Sequence, residues 1–292
     1  MSDEGRAQPV TIPGGRIEIF RLPGGDGVPL LVLGGVETGL RPLAGTEHVL
    51  VRRWERRAAR RPVVVVGRPL PDDPSDATLL MHPRVIAEST ATALAWVEAH
   101  GGPAPPYAVE AESGGGRISL WLAVDHPELV ARLVLASVAS ETLPDTPMAH
   151  RMSQWIDLAE HDQWGIFFGH MATQMRPASG DGEAASFDAA ARLQPKPATP
   201  DRFVGELRTT LDPSSFVTAR LSEVGVPALL LAGGRDQVVP EAATRQVAEA
   251  LLDARLEVDP ECGHTVRSSF DGYDDLVEAF LAAGDGADAD LG

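Results

Sequence analysis

The chain has 292 residues, 43% of them hydrophobic and 23% charged, which is the balance of a folded globular protein rather than a disordered one. Its formal net charge of −17 repels nucleic-acid backbones and anionic membrane surfaces alike, so neither is an expected partner. The single cysteine, Cys262, excludes an intramolecular disulfide, residues 1–5 are polar and acidic unlike a secretory signal, and no apolar run is long enough to span a bilayer; a cytoplasmic protein is expected.

In chain order, residues 1–10 read as a loose tail and residues 16–22 alternate apolar and polar, as a half-exposed strand does. Residues 29–33 form an apolar run suited to a strand buried on both faces, and it ends in Gly34-Gly35-Val36-Glu37-Thr38-Gly39. A helix over 46–61 puts Leu50, Val51, Trp54 and Ala58 on one side, with Arg52, Arg53, Arg56, Arg57, Arg60 and Arg61 over much of the rest. That arginine face is a solvated surface or, alternatively, an attraction for an acidic carrier protein. A buried strand over 63–67, a loop over 68–74 and a helix over 83–100 precede an extended run at 106–110. This run leads into Ala111-Glu112-Ser113-Gly114-Gly115-Gly116 and then a helix over 117–124; a further strand occupies 133–138. Alternating strands and helices predict an α/β fold, a doubly wound and mostly parallel sheet with helices on both faces.

The rhythm breaks between 141 and 213. Helices over 149–161 and 162–175 carry many methionines and aromatic residues, and 177–200 is rich in Gly, Ala and Pro. Helix 214–221, strand 227–232, helix 240–252, strand 255–258 and helix 274–281 then restore the pattern. The predicted organisation is a core of 11–140 and 214–283, a helical insertion over 141–213, and tails at 1–10 and 284–292.

A strand turning sharply into a helix holds the serine at its apex, Ser113, proud of the backbone. The flanking Ala111 and Gly115 have to be small, and Gly116 lets the helix pack close. A serine is a poor nucleophile without a base and a group that orients the base. Two later strand ends offer both: Gly233-Gly234-Arg235-Asp236-Gln237-Val238-Val239-Pro240 and Glu261-Cys262-Gly263-His264. The plainer alternatives are that Asp236 caps the helix starting near Pro240 and that His264 is an ordinary loop residue.

Taken together these three stretches resemble the α/β-hydrolase family over about residues 11–283: a nucleophile elbow with alanine for the first glycine, an acid loop of the form Gly-x-x-Asp-x-x-x-Pro, and a Gly-His loop. The resemblance implies that Ser113, Asp236 and His264 are nucleophile, acid and base. The expected activity is cleavage of a carboxylic ester or thioester of a small to medium, largely apolar substrate through an acyl-enzyme. It places the oxyanion donors at Gly114 and Val36, although the family's His-Gly-x-Pro is here Gly34-Gly35-Val36-Glu37. The insertion resembles the family's lid, with Gly35, Trp155, Trp164, Phe167, Phe168 and Met171 as candidate substrate contacts.

Glu141 is a second, less favoured acid, Glu112 reads as structural, and Cys262 as a small filler. His150, His161 and His170 form no metal-ligand motif, so no metal and no cofactor is implied. The partner is a small-molecule substrate. Serine members of the family also include perhydrolases, acyltransferases, C–C bond hydrolases and biosynthetic lyases or cyclases, and a non-catalytic ligand-binding protein on the same scaffold is the remaining alternative.

Overall fold

Runs of branched aliphatic residues set the centre of the molecule. The computed structural model describes residues 5–36, 40–175 and 191–285, so the expected ends of both tails, part of the loop after residue 36 and much of the Gly/Ala/Pro-rich stretch lie outside the described residues. Among the described residues nine strands form one sheet: β1 (Ala7–Ile12), β2 (Gly15–Leu22), β3 (Leu30–Leu33), β4 (Val63–Val66), β5 (Leu70–Pro71), β6 (Tyr107–Glu112), β7 (Val130–Ala136), β8 (Ala228–Gly233) and β9 (Ala254–Asp259). Their order is β1-β2-β4-β3-β6-β7-β8-β9, with β5 beside β2. Pairing is antiparallel at β1–β2, β2–β4 and β2–β5, and parallel from β4 through β9.

Every residue of β3 and β4 is buried, as the unbroken apolar runs require of strands covered on both sides. The pleat sorts them: Leu31, Leu33, Val64 and Val66 join one core, and Leu30, Val32, Val63 and Val65 the other. Helices α1 (Glu47–Ala58), α2 (Ala77–Leu80), α3 (Pro83–Ala99) and α4 (Gly114–Asp125) lie in the first half of the chain. The insertion contributes α5 (Pro147–Glu160), α6 (Trp164–Met175) and α7 (Pro200–Thr209); α8 (Glu241–Ala250), α9 (Val266–Ser269) and α10 (Tyr273–Asp285) follow. Helices α3, α4 and α8 bury their apolar faces in the first core, α1 and α10 in the second. Proline opens α3, α5 and α7, where its missing N–H costs nothing. No described helix is long and apolar enough to cross a membrane.

Several boundaries differ from the sequence reading. Residues 7–10 are not tail but part of β1, because Val10 and Ile12 bury against the core while the strand pairs with β2 along its length. Helix α10 runs through Asp285 and takes two residues from the expected C-terminal tail. In place of one helix over 214–221 there are two short 3-10 turns, Pro213–Ser215 and Thr218–Glu223. They are separated where Phe216 is extended and the Val217 N–H donates to the Ser140 carbonyl.

The arginine face of α1 is only in part what the pattern suggested. Arg57 and Arg61 are buried, and Arg56, Arg57, Arg60 and Arg61 all reach carboxylates of α10. Arg52, Arg53, Arg56 and Arg60 remain exposed, as a solvated face requires, but Arg57 and Arg61 turn inward, where Arg57 meets an acid of the sheet. Glu110, in the middle of β6 and 3% exposed, accepts from Arg57 Nε at 3.0 Å and from Tyr273 Oη at 3.1 Å, with Arg267 Nη1 at 3.3 Å. Burial alone would raise its pKa; the Arg267 and Arg57 guanidiniums overcome that and hold it below the usual 4.5.

A depressed carboxylate pKa stabilises the fold above the unfolded value and loses that contribution as pH falls through the folded one. Glu110→Ala is therefore expected to cost about 1–3 kcal/mol in urea unfolding at neutral pH, since it takes one carboxylate from the buried Arg57, which keeps Glu278 and Asp274, and leaves the Tyr273 hydroxyl without its acceptor. The deficit should shrink as the medium is acidified below the ordinary carboxylate range. A loss under about 1 kcal/mol at neutral pH would show that the cluster is not a stabilising one.

Candidate functional site

Strand order reverses at β3: the chain builds β4 on one side of it and β6 on the other. Crevices open beyond the carboxyl ends of strands at such a point, and here those ends are Gly34-Gly35 and Ser113. Between β6 and α4, Ser113 takes φ 52°, ψ −122°, a strained conformation for a residue with a side chain. Its N–H donates to the Ala136 carbonyl at 2.9 Å. A Cβ on Gly115 would stand 2.2 Å from the Leu33 carbonyl oxygen and 2.6 Å from that of Gly34, so only glycine fits. The tightness at Gly115 thus comes from the end of the neighbouring strand, where the sequence pattern pointed to Ala111.

The structure brings Ser113, Asp236 and His264 together from three strand ends. His264 Nε2 lies 3.0 Å from Ser113 Oγ, and Nδ1 lies 2.9 Å from Asp236 Oδ2. The other carboxylate oxygen of Asp236 accepts from the backbone N–H groups of Val238 and Val239 at 2.8 and 2.9 Å, which fixes the acid in its loop. Helix α8 has Pro240 at its cap position and no side-chain cap, so the capping alternative for Asp236 does not hold. With Nδ1–H donated to the carboxylate, Nε2 presents its lone pair to the serine hydroxyl. Burial opposes a charged imidazole, but the Asp236 carboxylate outweighs it and raises the His264 pKa above the usual 6.5.

Glu141 stands elsewhere, accepting from Gln246 Nε2 at 2.9 Å. Cys262 is buried, with burial pushing its thiol pKa up.

Around Ser113 is a cavity of about 240 Å³. Gly35, Val36, Gly114, Trp155 and Met171 line it as expected; Met81, Ile86, Met148, Met152, Met175 and Leu207 complete an apolar wall. Trp164, Phe167 and Phe168 do not reach it. They pack edge-on and tilted against one another and Phe203 with ring centroids 5.1–6.4 Å apart, forming the core of the insertion itself. Val36 N lies 3.6 Å from where a Cβ on Gly114 would sit, so the two expected oxyanion residues are neighbours.

Two groups of residues escaped the sequence reading. Arg68, directly after the β4 end, donates from Nη2 to the Gly34 carbonyl at 2.7 Å and pairs through Nε with both carboxylate oxygens of Glu206 on α7 at 3.1 Å. Glu206 Oε1 in turn sits 3.2 Å from the Cβ position of Gly114. A charged residue closing an all-valine strand was the available signal. Arg117, one turn past the serine, donates to the Ala139 and Thr210 carbonyls and to the Thr142 and Ser215 hydroxyls, fastening both ends of the insertion to α4. Burial lowers its pKa to about 10.

A family model described as serine aminopeptidase, S33, matches residues 86–268, more than half of the chain. The chain is 31% identical over 176 residues to pimeloyl-(acyl-carrier protein) methyl ester esterase of Nitrosomonas europaea, covering 56% of this chain and 66% of that protein. It is 28% identical over 191 residues to 2-hydroxymuconate semialdehyde hydrolase of Pseudomonas sp. (strain CF600), covering 60% and 62% respectively. The matched region is thus just under two thirds of the length of these relatives. Among solved structures, an esterase from Exiguobacterium antarcticum aligns with a TM-score of 0.72 at 17% identity, covering 96% of this chain and 99% of that one. Est816, described as an N-acyl homoserine lactone degrading enzyme, aligns with a TM-score of 0.71 at 19% identity, covering 94% and 100%. These two are likenesses of fold.

The raised His264 pKa can be read without any substrate. In an NMR titration its ring is expected to take up a proton above the ordinary imidazole value of 6.5. Asp236→Asn should move that midpoint down, because it removes the attraction and leaves the burial penalty. An unchanged midpoint in Asp236→Asn would contradict the assigned cause.

Proposed function

The chain belongs to the serine aminopeptidase S33 family of the α/β-hydrolase fold, and from that premise we propose that it is a serine hydrolase acting on a carboxylic ester or thioester. The observation that carries this reading is the unbroken relay Ser113 Oγ–His264–Asp236 at 3.0 and 2.9 Å. Ser113 attacks the carbonyl carbon while His264 Nε2 takes the hydroxyl proton. Asp236 holds the ring in the tautomer that can do so and stabilises the imidazolium. His264 then returns the proton to the leaving oxygen or sulfur, and a water deprotonated at the same nitrogen releases the acid from the acyl-enzyme.

The developing oxyanion falls to the backbone N–H groups of Gly114 and Val36. Loop shape there is normally secured by a histidine and a proline that this chain lacks, and Arg68 takes over by holding the Gly34 carbonyl. It also neutralises Glu206, whose carboxylate would otherwise repel the oxyanion; at 4 Å and an effective dielectric of 20, one unit charge is worth about 4 kcal/mol. The inserted helices α5–α7 act as the lid, and their methionines supply an apolar wall that adapts to an acyl or alcohol chain. An ester fits better than an amine-terminated peptide, because both carboxylates in the cavity wall, Glu206 and Glu112, already face arginines.

Turnover of p-nitrophenyl esters and acyl thioesters of graded chain length is expected for the wild type. Ser113→Ala should lower kcat by several powers of ten; a serine variant as active as wild type would end this reading. For the oxyanion loop, Arg68→Met is expected to lower kcat about tenfold to a hundredfold with little change in KM, and adding Glu206→Gln should restore part of it. Equal kcat in Arg68→Met and wild type would remove Arg68 from the account.

A further inference from the structure

The cavity is not apolar all round. Besides the methionines, two guanidiniums line it, from Arg53 on α1 and Arg267 on α9, with the hydroxyl residues Thr265 and Ser268. Both arginines lie over one indole: Arg267 Cζ is 3.7 Å and Arg53 Cζ 5.8 Å from the Trp54 ring. Arg53 makes no hydrogen bond among the described residues; its nearest carboxylate contact, Glu112 Oε2, is 3.9 Å away. Arg267 spends Nη1 on Glu110, which is already held by Arg57 and Tyr273. Their side chains are 38% and 17% exposed, and both residues line the cavity.

The two like charges share one site with Glu112, 3.9 Å from Arg53, and with Glu110, which Arg57 and Tyr273 also hold, so their compensation is loose on one side and divided on the other. Burial first, and then repulsion from Arg267, lower the Arg53 pKa, with Glu112 and Glu110 offsetting only part of the effect. Guanidiniums offer forked N–H donors that match the oxygens of a carboxylate or phosphate, and partial desolvation strengthens such contacts.

We propose that Arg53 and Arg267 form an anion subsite within the cavity of Ser113, so that the preferred substrate carries a carboxylate or phosphate group in addition to its scissile ester or thioester. The inference rests on the serine-hydrolase reading of the same cavity. The substrate lies with its apolar portion on Met148, Met152 and Met171 and its anionic end on the arginines, with the carbonyl at Ser113 between them. The arginines bind and orient; they take no part in proton transfer.

Matched substrates test this directly. One pair places the charge on the acyl chain, p-nitrophenyl hexanoate against mono-p-nitrophenyl adipate. A second set places it on the leaving group, phenyl butyrate against its para-carboxylate and para-phosphate analogues. In at least one comparison the charged member is expected to show kcat/KM about tenfold or more above the neutral one, as hydrogen bonds to charged groups warrant. The carboxylate and phosphate analogues separate the two anions. Arg53→Met and Arg267→Met should each collapse that ratio, mainly through KM, and Arg53→Lys should retain part of it.

Calorimetric binding of adipate and of inorganic phosphate to Ser113→Ala gives a readout free of turnover; at least one should bind, and more weakly when Arg53→Met is added. Neutral substrates preferred in every comparison, or a charge preference that survives both methionine variants, would overturn the subsite while leaving the hydrolase reading intact. Absence of any ester turnover would instead count against the hydrolase reading, and the binding experiment would still decide the subsite.

Discussion

At the centre of the molecule the carbonyl oxygens of Leu33 and Gly34 press against the first turn of α4, where a Cβ on Gly115 would have to overlap them. Two residues before that contact Ser113 takes a strained backbone conformation, the sharp strand-to-helix turn that holds a side chain proud of the backbone. The rest of the arrangement follows from where the sheet ends. The β8 and β9 loops supply Asp236 and His264, and the loop after β3 brings Val36 beside Gly114. A parallel sheet with its strand ends aligned places these loops within reach of one another with no long-range folding of the loops themselves.

Charge is the second organising element, and it runs against the usual expectation for so acidic a chain. Arginines are brought inward: Arg57 and Arg61 under the sheet, Arg117 at the neck of the insertion, Arg68 against the loop after β3. Each is matched to acceptors of a different kind. Arg57 meets carboxylates of β6 and α10, Arg68 meets Glu206 and a carbonyl, and Arg117 meets carbonyls and hydroxyls of the two segments that flank the insertion. Removing either member of the Arg57–Glu110 or Arg68–Glu206 pair leaves the other buried charge with less compensation. Arg53 and Arg267 differ because both line the cavity.

How much of this was legible in the sequence depended on whether the signal was local. Valine and leucine runs of strand length marked β3, β4 and β8, and the order serine, Asp236, His264 at strand ends marked the candidate site, because each signal sits within a few consecutive residues. Helical periodicity placed α5 and α6 but not their facing: Trp155 and Met171 line the cavity while Trp164, Phe167 and Phe168 fill the insertion's own core, a choice made by Phe203 some thirty-five residues on. Arg57 looked solvent-facing like its neighbours on α1 because its partners, Glu110 and Glu278, lie 53 and 221 residues away. The first strand was missed because its burial depends on pairing with β2, which a short mixed segment does not announce. Arg68 and Glu206, 138 residues apart, are invisible to any reading of spacing.

The central claim is that Ser113 is the nucleophile and His264 its base. Reaction with a fluorophosphonate followed by intact-mass and peptide analysis tests it most directly. The account predicts one adduct per chain, located on Ser113, formed far more slowly in His264→Ala and absent in Ser113→Ala. An unlabelled wild-type protein, or an adduct on another residue that persists in Ser113→Ala, would contradict it.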